Sequence, residues 1–249
     1  MLNNKEFYDN FAEDYSKMIS FDNAIEKRKS LLSNIVQPKI KYAADLGCGT
    51  GIDSAALAQL GLVVTGFDPS SEMIKQAKAN AGRISLKIDF ENCGISKIPA
   101  EFNKKFDLVI SLGNTFANIE RESFQSSIKR CYDLVNEQGN LFIQVINYKM
   151  ILKEKKRIVN ITESKEHFFI RFYDFIKDEI KFNILKFSKA EPKENNLITT
   201  TIHPYTANDF NNPLLEAGFN SVKMYSDLSH NEFDENSSKD LIIRAAKDS

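Results

Sequence analysis

The chain has 249 residues, with 33 Lys+Arg against 34 Asp+Glu and a formal net charge of -1. That balance excludes a general electrostatic pull toward nucleic acid or an anionic membrane surface. An apolar content of 42% with 27% charged residues is ordinary for a globular chain, and the length is enough to bury a sizeable core.

Three widely spaced cysteines, Cys48, Cys93 and Cys131, form no disulfide framework and suit a reducing compartment. His167, His203 and His230 lack close ligand spacing, so no metal site is expected. The N-terminus has no apolar signal core and no 18-residue apolar run follows it. A cytoplasmic protein without a membrane segment is the expectation.

In chain order, Phe7, Phe11, Tyr15 and Met18 recur at helical spacing. Ile25, Leu31, Leu32, Ile35 and Val36 form a second stripe, which Pro38 closes. Strands and helices then alternate. The pattern predicts a strand over Tyr42–Asp45, a helix over Asp53–Leu60 stopped by Gly61, and a strand over Leu62–Asp68. A helix over Ser71–Ala79 capped by Ser70 follows, then strands Ile84–Phe90 and Phe106–Leu112. A helix about Glu122–Val135 and a strand Asn140–Ile146 close this run. Such alternation implies a parallel sheet with right-handed crossovers.

After Tyr148 the pattern changes. The runs H-F-F-I-R-F-Y-D-F, E-I-K-F-N-I-L-K-F and N-L-I-T-T-T-I-H-P-Y alternate, with charged turns at Lys177–Glu179 and Glu191–Asn196 between them. They read as a β-meander with one apolar face. Thr206 and Asp209 make a T-x-x-D capping signal for a helix that runs to Ala217 and stops at Gly218. Strands Phe219–Tyr225 and Leu241–Ala245 finish the sheet.

The most telling stretch is A-D-L-G-C-G-T-G-I-D-S, followed by a helix and a strand ending at Asp68. An apolar strand ending in Asp45, a glycine turn, a helix and a second strand ending in an acid describe a nucleotide-type cofactor site at the carboxyl edge of a parallel sheet. Gly47 and Gly49 let the backbone pass close to a ligand. The amides of Gly49 to Ile52 open a helix and favour a carboxylate there. Asp68 can accept hydrogen bonds from both hydroxyls of a ribose. A nicotinamide fingerprint, counted from Gly47, would put its last glycine on Ile52. The blander alternative is a tight βα turn with a helix-capping glycine.

The D-x-G-x-G-x-G pattern resembles the first motif of S-adenosylmethionine-dependent methyltransferases. The runs Tyr42 to Phe90 and Phe106 to Tyr148 are similar to the class I enzymes of that superfamily. S-L-G-N-T-F-A-N-I at 111–119 and I-N-Y at 146–148 resemble the glycine and sarcosine N-methyltransferase group. The meander followed by H-P-Y-T-A-N-D-F resembles sugar-amine N-methyltransferases. The resemblance implies an α/β fold: a Rossmann-like seven-stranded methyltransferase sheet, helices on both faces, and an antiparallel β insertion. It implies S-adenosyl-L-methionine as cofactor and methyl transfer to a small molecule, with an amine nitrogen of amino-acid or amino-sugar type as the expected acceptor. Small-molecule O-methylation and a catalytically silent cofactor-binding protein are the alternatives. Residues 1–148 and 205–249 would form the cofactor domain, with 1–40 as a helical lid. Residues 149–204 would form a β subdomain over the acceptor, in a monomer or homodimer.

Carried over by position, the resemblance implies cofactor contacts from Tyr15, Asp45, Gly47, Cys48, Gly49, Asp68, Pro69 and Met73. Asp89 and Phe90 would edge the adenine, and Leu112, Gly113 and Asn114 would face the methionine portion. Met73 also fits a core stripe with Ile74 and Ala77. On the acceptor side it implies Tyr8, Asn147, Arg171 and His203. His203 is either a base for the acceptor's proton or a structural strand residue. The chain departs from the glycine group twice: His203 stands where a tyrosine usually precedes the proline, and Ile146 stands where a basic residue precedes the asparagine–tyrosine pair. Both departures argue against glycine as acceptor. Leu112–Thr115 reads L-G-N-T rather than N-P-P-Y, which argues against nucleic-acid methylation.

Overall fold

The central strands are apolar on both faces, and that dictates their place. In the computed structural model, which describes residues 2–18, 20–177 and 179–247, β1 (Tyr42–Leu46) and β4 (Phe106–Ser111) are buried almost throughout. Strands of that kind need helices on both sides. The side chains of Glu13 and residues 15–18 lie outside the described set, Tyr15 among them.

Seven strands form the main sheet, which also contains β2 (Val63–Phe67), β3 (Asp89–Glu91), β5 (Val135–Ile146), β10 (Ser221–Tyr225) and β11 (Asp240–Ala246). Their order is β10-β11-β5-β4-β1-β2-β3. The first five strands in sequence run parallel, and β11 is antiparallel to both β5 and β10. On one face lie α2 (Phe21–Leu32) and α3 (Ile52–Gln59), whose Ile25, Leu32, Ala55 and Leu57 pack on Val64, Leu108 and Ile110. On the other lie α5 (Arg121–Leu134) and α7 (Ala207–Ala217), whose Ile128, Leu134, Phe210 and Leu214 share a core with Leu46, Phe67, Val109 and Ile143. The chain leaves β1 toward β2 and later returns to place β4 on its other side. The strand order therefore reverses between β1 and β4, and a crevice opens at their carboxyl ends.

A second sheet is inserted between β5 and α7, after the short α6 (Tyr148–Glu154). It comprises β6 (Ile158–Glu163), β7 (His167–Ile176), β8 (Glu179–Ser188) and β9 (Asn195–Ile202), paired antiparallel in that order. Tyr173, Ile180 and Ile202 join the main core. Phe169 and Ile184 instead pack on Phe7 and Phe11 of α1 (Asn4–Met18). The capping box at Thr206 and Asp209 forms as its sequence implies, and Gly218 ends α7 at φ 116.

The structure adds α6 and β6 ahead of the three alternating runs that the sequence pattern predicts, and one expected strand is shifted. The helix α4 (Ser71–Arg83) continues past Ala79, because Gly82 is tolerated inside it, and the chain turns only at Ser85 with φ 56. The following strand is consequently short and late, and its carboxyl end is Glu91 rather than Phe90.

Gly66 on β2 is where this packing has least tolerance. A Cβ there would lie 2.7 Å from the Phe90 ring and 3.0 Å from Cys48 Sγ. Both neighbours are themselves buried, so Gly66→Ala should destabilise the fold by about 1–3 kcal/mol. Urea unfolding curves at fixed slope would check this; an unchanged midpoint would contradict the packing described.

Candidate functional site

At the crevice lies a cavity of about 910 Å3. Its floor is the turn after β1 and the loop after β4, and its rim comes from α1, α2, the loop after β3, the start of α5, and the β10–β11 region. A cavity of this size holds a ligand of drug or cofactor dimensions.

The glycine turn is built for close approach. Gly47 has φ 75, and a Cβ there would collide with Thr115 at 2.3 Å. Gly49 (φ 53) and Gly113 (φ 65) face open space instead, with nothing within 4 Å of where a Cβ would stand. The empty side of both glycines is the space a ligand backbone or chain can take. The amides of this turn are less free than the sequence implies. Gly47 and Cys48 both donate to the Phe67 carbonyl, Gly51 donates to the Cys48 carbonyl, and Gly49 donates to Asp68 Oδ2 at 2.9 Å.

Asp68 is therefore held on both oxygens, with the Ser70 amide on Oδ1 at 2.9 Å. It is 8% exposed and walls the cavity. Burial raises its pKa to about 6, against the lowering effect of the Ser70 and Gly49 amides. Asp45 lies deeper. Ser54 Oγ donates to it at 2.6 Å, and burial together with the charge of Asp53 raises it to about 7. Arg28 grips Asp53 through both Nε and Nη2, and both residues wall the cavity. Burial also pushes the Cys48 thiol well above its usual range, with Asp45 and Asp68 adding to the effect. A thiol so placed is no nucleophile.

Of the residues singled out from sequence, Tyr8, Gly47, Cys48, Gly49, Asp68, Pro69, Met73, Leu112 and Gly113 line this cavity. Others serve it from behind or lie elsewhere. Asp45 sits beneath the glycine turn. Asp89 is exposed and Phe90 packs with Cys48, Ile74, Ala77 and Ala81, because the late β3 keeps both within the strand; Cys93, Gly94, Ile95 and Ser96 line the cavity in their place. Asn114 ties strand ends together: its amide group donates to Tyr148 Oη at 2.7 Å and accepts the Ile146 amide, and its own backbone N–H donates to Gln144.

The acceptor-side residues are dispersed. Asn147 is buried and turned away, its side-chain nitrogen donating to the carbonyls of Glu235 and Ser238. His203 is fixed by a 2.7 Å hydrogen bond from its backbone amide to the Ala117 carbonyl, and burial followed by the Arg121 charge lowers its pKa. Arg171 lies on β7, opposite Ile184 and Asn160. Among the described residues, none from 149–204 lines the cavity. The inserted sheet supports α1 instead.

Polar walls that the sequence did not reveal are Asn118, Glu120, Ser123 and Ser127, from the loop after β4 and the start of α5. Tyr8 Oη donates to Asn118 Oδ1 at 3.4 Å, and Asn4 Nδ2 donates to the Asn118 carbonyl at 2.7 Å. On the opposite side stand Gln144 and Asp240, joined at 2.7 Å. Among the described residues no group of His, Cys, Asp and Glu is placed to hold a metal ion, and no helix is long and apolar enough to cross a membrane.

Residues 43–139 match the family described as "Methyltransferase domain". Over 97% of its length the chain is 22% identical to the glycine/sarcosine N-methyltransferase of Aphanothece halophytica, covering 89% of that protein. It is 34% identical over 44% of its length to a ubiquinone biosynthesis O-methyltransferase of Coxiella burnetii, spanning 45% of that protein. The crystal structure of an S-adenosylmethionine-dependent methyltransferase from Clostridium acetobutylicum superposes with a TM-score of 0.77, covering 97% of this chain and 99% of that one at 17% identity.

Asp45 supplies a test of the buried floor. Its native pKa, about 7, lies above the unfolded value of 3.8, so the folded state keeps a proton that the unfolded chain releases. The stability associated with that proton is fully present below pH 4 and is lost as pH rises through 7. Asp45→Asn removes the titration. At pH 8 it should be more stable than the parent by on the order of 1 kcal/mol or more, and at pH 4 it should not. Urea unfolding at the two pH values reads the difference; equal losses at both would contradict the assignment.

Proposed function

We propose that this chain, a class I S-adenosylmethionine-dependent methyltransferase, methylates a small molecule at an amine nitrogen, of amino-acid or amino-sugar type. The observation that carries the nitrogen is the extent of likeness. The N-methyltransferase relative aligns along 97% of the chain, and so includes the lid and the insertion, whereas the O-methyltransferase relative aligns along 44%.

When bound, S-adenosylmethionine supplies a methyl group on a positively charged sulfur, an excellent leaving group. The protein's part is alignment and exclusion of water. Asp68, ionised, would accept from the ribose hydroxyls while its own two amide donors keep it oriented. Met73, Pro69 and the 93–96 loop would bracket the base. The open sides of Gly49 and Gly113 would leave room for the aminoacyl arm, beside Leu112. Tyr8, Asn118, Glu120, Ser123 and Ser127 form the remaining polar wall, which we assign to the acceptor. Glu120 suits an incoming ammonium better than a carboxylate, and Lys5 on the same rim is tied to Asp9 at 3.1 Å. With His203 outside the cavity walls, loss of the acceptor's proton at the Glu120 rim fits this arrangement better than a histidine base.

Two outcomes test this reading. Cofactor affinity, measured by calorimetry, should be level above pH 7 and fall as pH drops through 6, because the proton on Asp68 removes an acceptor from the ribose. Asp68→Asn should bind about 10–100-fold more weakly at pH 8, equivalent to about 1–3 kcal/mol, with a flat pH profile. For the acceptor, Asn118→Ala and Tyr8→Phe should raise acceptor KM more than they weaken cofactor binding. A metabolite extract treated with methyl-labelled S-adenosylmethionine should yield an N-methylated product by mass spectrometry. An O-methyl ether as the labelled product would overturn the amine assignment.

A further inference from the structure

Helix α1 forms part of the cavity wall through Asn4, Lys5 and Tyr8, with Asn3 just ahead of it, so a cofactor held there is enclosed by this helix. On its outer side α1 is anchored to the insertion: Thr200 Oγ1 donates to Asn4 Oδ1 at 2.6 Å, Lys186 pairs with Asp14 at 2.7 Å, and Phe7 and Phe11 pack on Phe169 and Ile184. Its anchor toward the cofactor loop is different in kind. Asp9 Oδ1 accepts from Ser70 Oγ at 2.6 Å and from the Glu72 amide at 3.3 Å.

Ser70 is fully buried and carries three roles at once. Its Oγ caps α4 by accepting the Met73 amide at 3.1 Å, the same Oγ donates to Asp9, and its backbone amide donates to Asp68 Oδ1 at 2.9 Å. Asp9 and Ser70 thus share the first turn of α4, where carboxylates are favoured. One continuous line of hydrogen bonds joins the lid helix to the acid assigned to the ribose: Asp9, Ser70, Asp68, and then the Gly49 amide. Burial alone would raise Asp9, but the hydrogen bonds from Ser70 and Lys5 carry it below the usual carboxylate range. It therefore stands ionised at neutral pH, with both oxygens engaged.

We propose that Asp9 is a positioning residue for the cofactor: it latches α1 to Ser70, so that closure of the lid and the orientation of Asp68 are one event. It touches neither the ribose nor the methyl group. Its effect on the reaction is to slow cofactor escape and to hold the Asp68 loop in its binding geometry. The inference rests on Asp68 as the ribose acid.

Surface plasmon resonance with S-adenosylhomocysteine on the full chain tests it. Asp9→Ala should raise the dissociation rate roughly tenfold while changing the association rate much less, the usual signature of a lost retaining contact. Asp9→Asn keeps an oxygen for Ser70 and should restore most of the residence time. Asp9→Ser, which is too short to reach Ser70, should behave as Ala does and serves if the alanine variant does not fold. In a cycle with Ser70→Ala, the two substitutions should be non-additive in dissociation rate. If Asp9→Ala or Asp9→Ser lowers the melting temperature but releases the ligand at the parent rate, Asp9 is merely structural and the latch is overturned. If the parent itself fails to bind S-adenosylhomocysteine, the cofactor site is misassigned and the latch falls with it.

Discussion

Everything in this molecule turns on the passage of the backbone between Thr115 and the crevice at Gly47. No Cβ fits there, and the left-handed conformation it needs is one that other residues adopt at a cost. Because the turn is so tight, Gly47 and Cys48 both reach the Phe67 carbonyl at the end of the neighbouring strand, and Gly49 reaches Asp68 just beyond it. The ends of β1 and β2 at the crevice are thereby locked in register. Asp68 is a consequence of that lock: buried, held by two backbone amides, and aimed into the cavity. The core beneath serves the same end, since Phe90 and Cys48 close against Gly66 and fix the floor from below.

Such constraints are visible in sequence because they demand particular residue types at fixed spacing. Three alternating glycines after an apolar strand and an acid at the next strand's end leave few other readings, and the parallel sheet follows from the alternation of apolar strands with amphipathic helices. The Thr206–Asp209 cap and the Gly218 stop were equally readable, since each is a local hydrogen-bond or φ requirement. What sequence could not resolve was anything set by a shift of a few residues. The extra turn of α4 moves β3 along, so the cavity meets Cys93 to Ser96 rather than Asp89 and Phe90. Asn114 and Asn118 are a turn apart in one loop. Only the tertiary partners show that the first is fully engaged with Tyr148, Gln144 and the Ile146 amide, leaving the second to face the cavity.

Side chains whose roles depend on a distant segment were the least readable of all. Asn147 follows a strand end, as a ligand residue of such a sheet should, yet the loop at 235–238 comes back to meet its amide. Arg28 carries no motif, and its position opposite Asp53 depends on how α2 lies across α3. The insertion is a further case. Its alternating pattern identified strands, but not which surface they would cover, and the apolar faces of Phe169 and Ile184 are taken up by α1 rather than exposed to a ligand.

That arrangement joins the insertion to the cavity wall through α1. Its sheet is braced on the main core by Tyr173, Ile180 and Ile202, and it presents Phe169, Ile184, Lys186 and Thr200 to α1. Helix α1 in turn sets Tyr8 against Asn118 on one side and Asp9 against Ser70 on the other. A change on the sheet can therefore be felt at Asn118, in the wall proposed for the acceptor, and at Ser70, in the proposed latch. Such coupling is physical only where packed side chains and hydrogen bonds join the parts without a gap. Here they run from the sheet through α1 to Asn118 and to Ser70. The cofactor half answers to backbone geometry that tolerates little change. Of the wall proposed for the acceptor, Tyr8 rides on the helix that the inserted sheet supports, so divergence of the insertion would reach that wall through α1 and leave the glycine turn untouched.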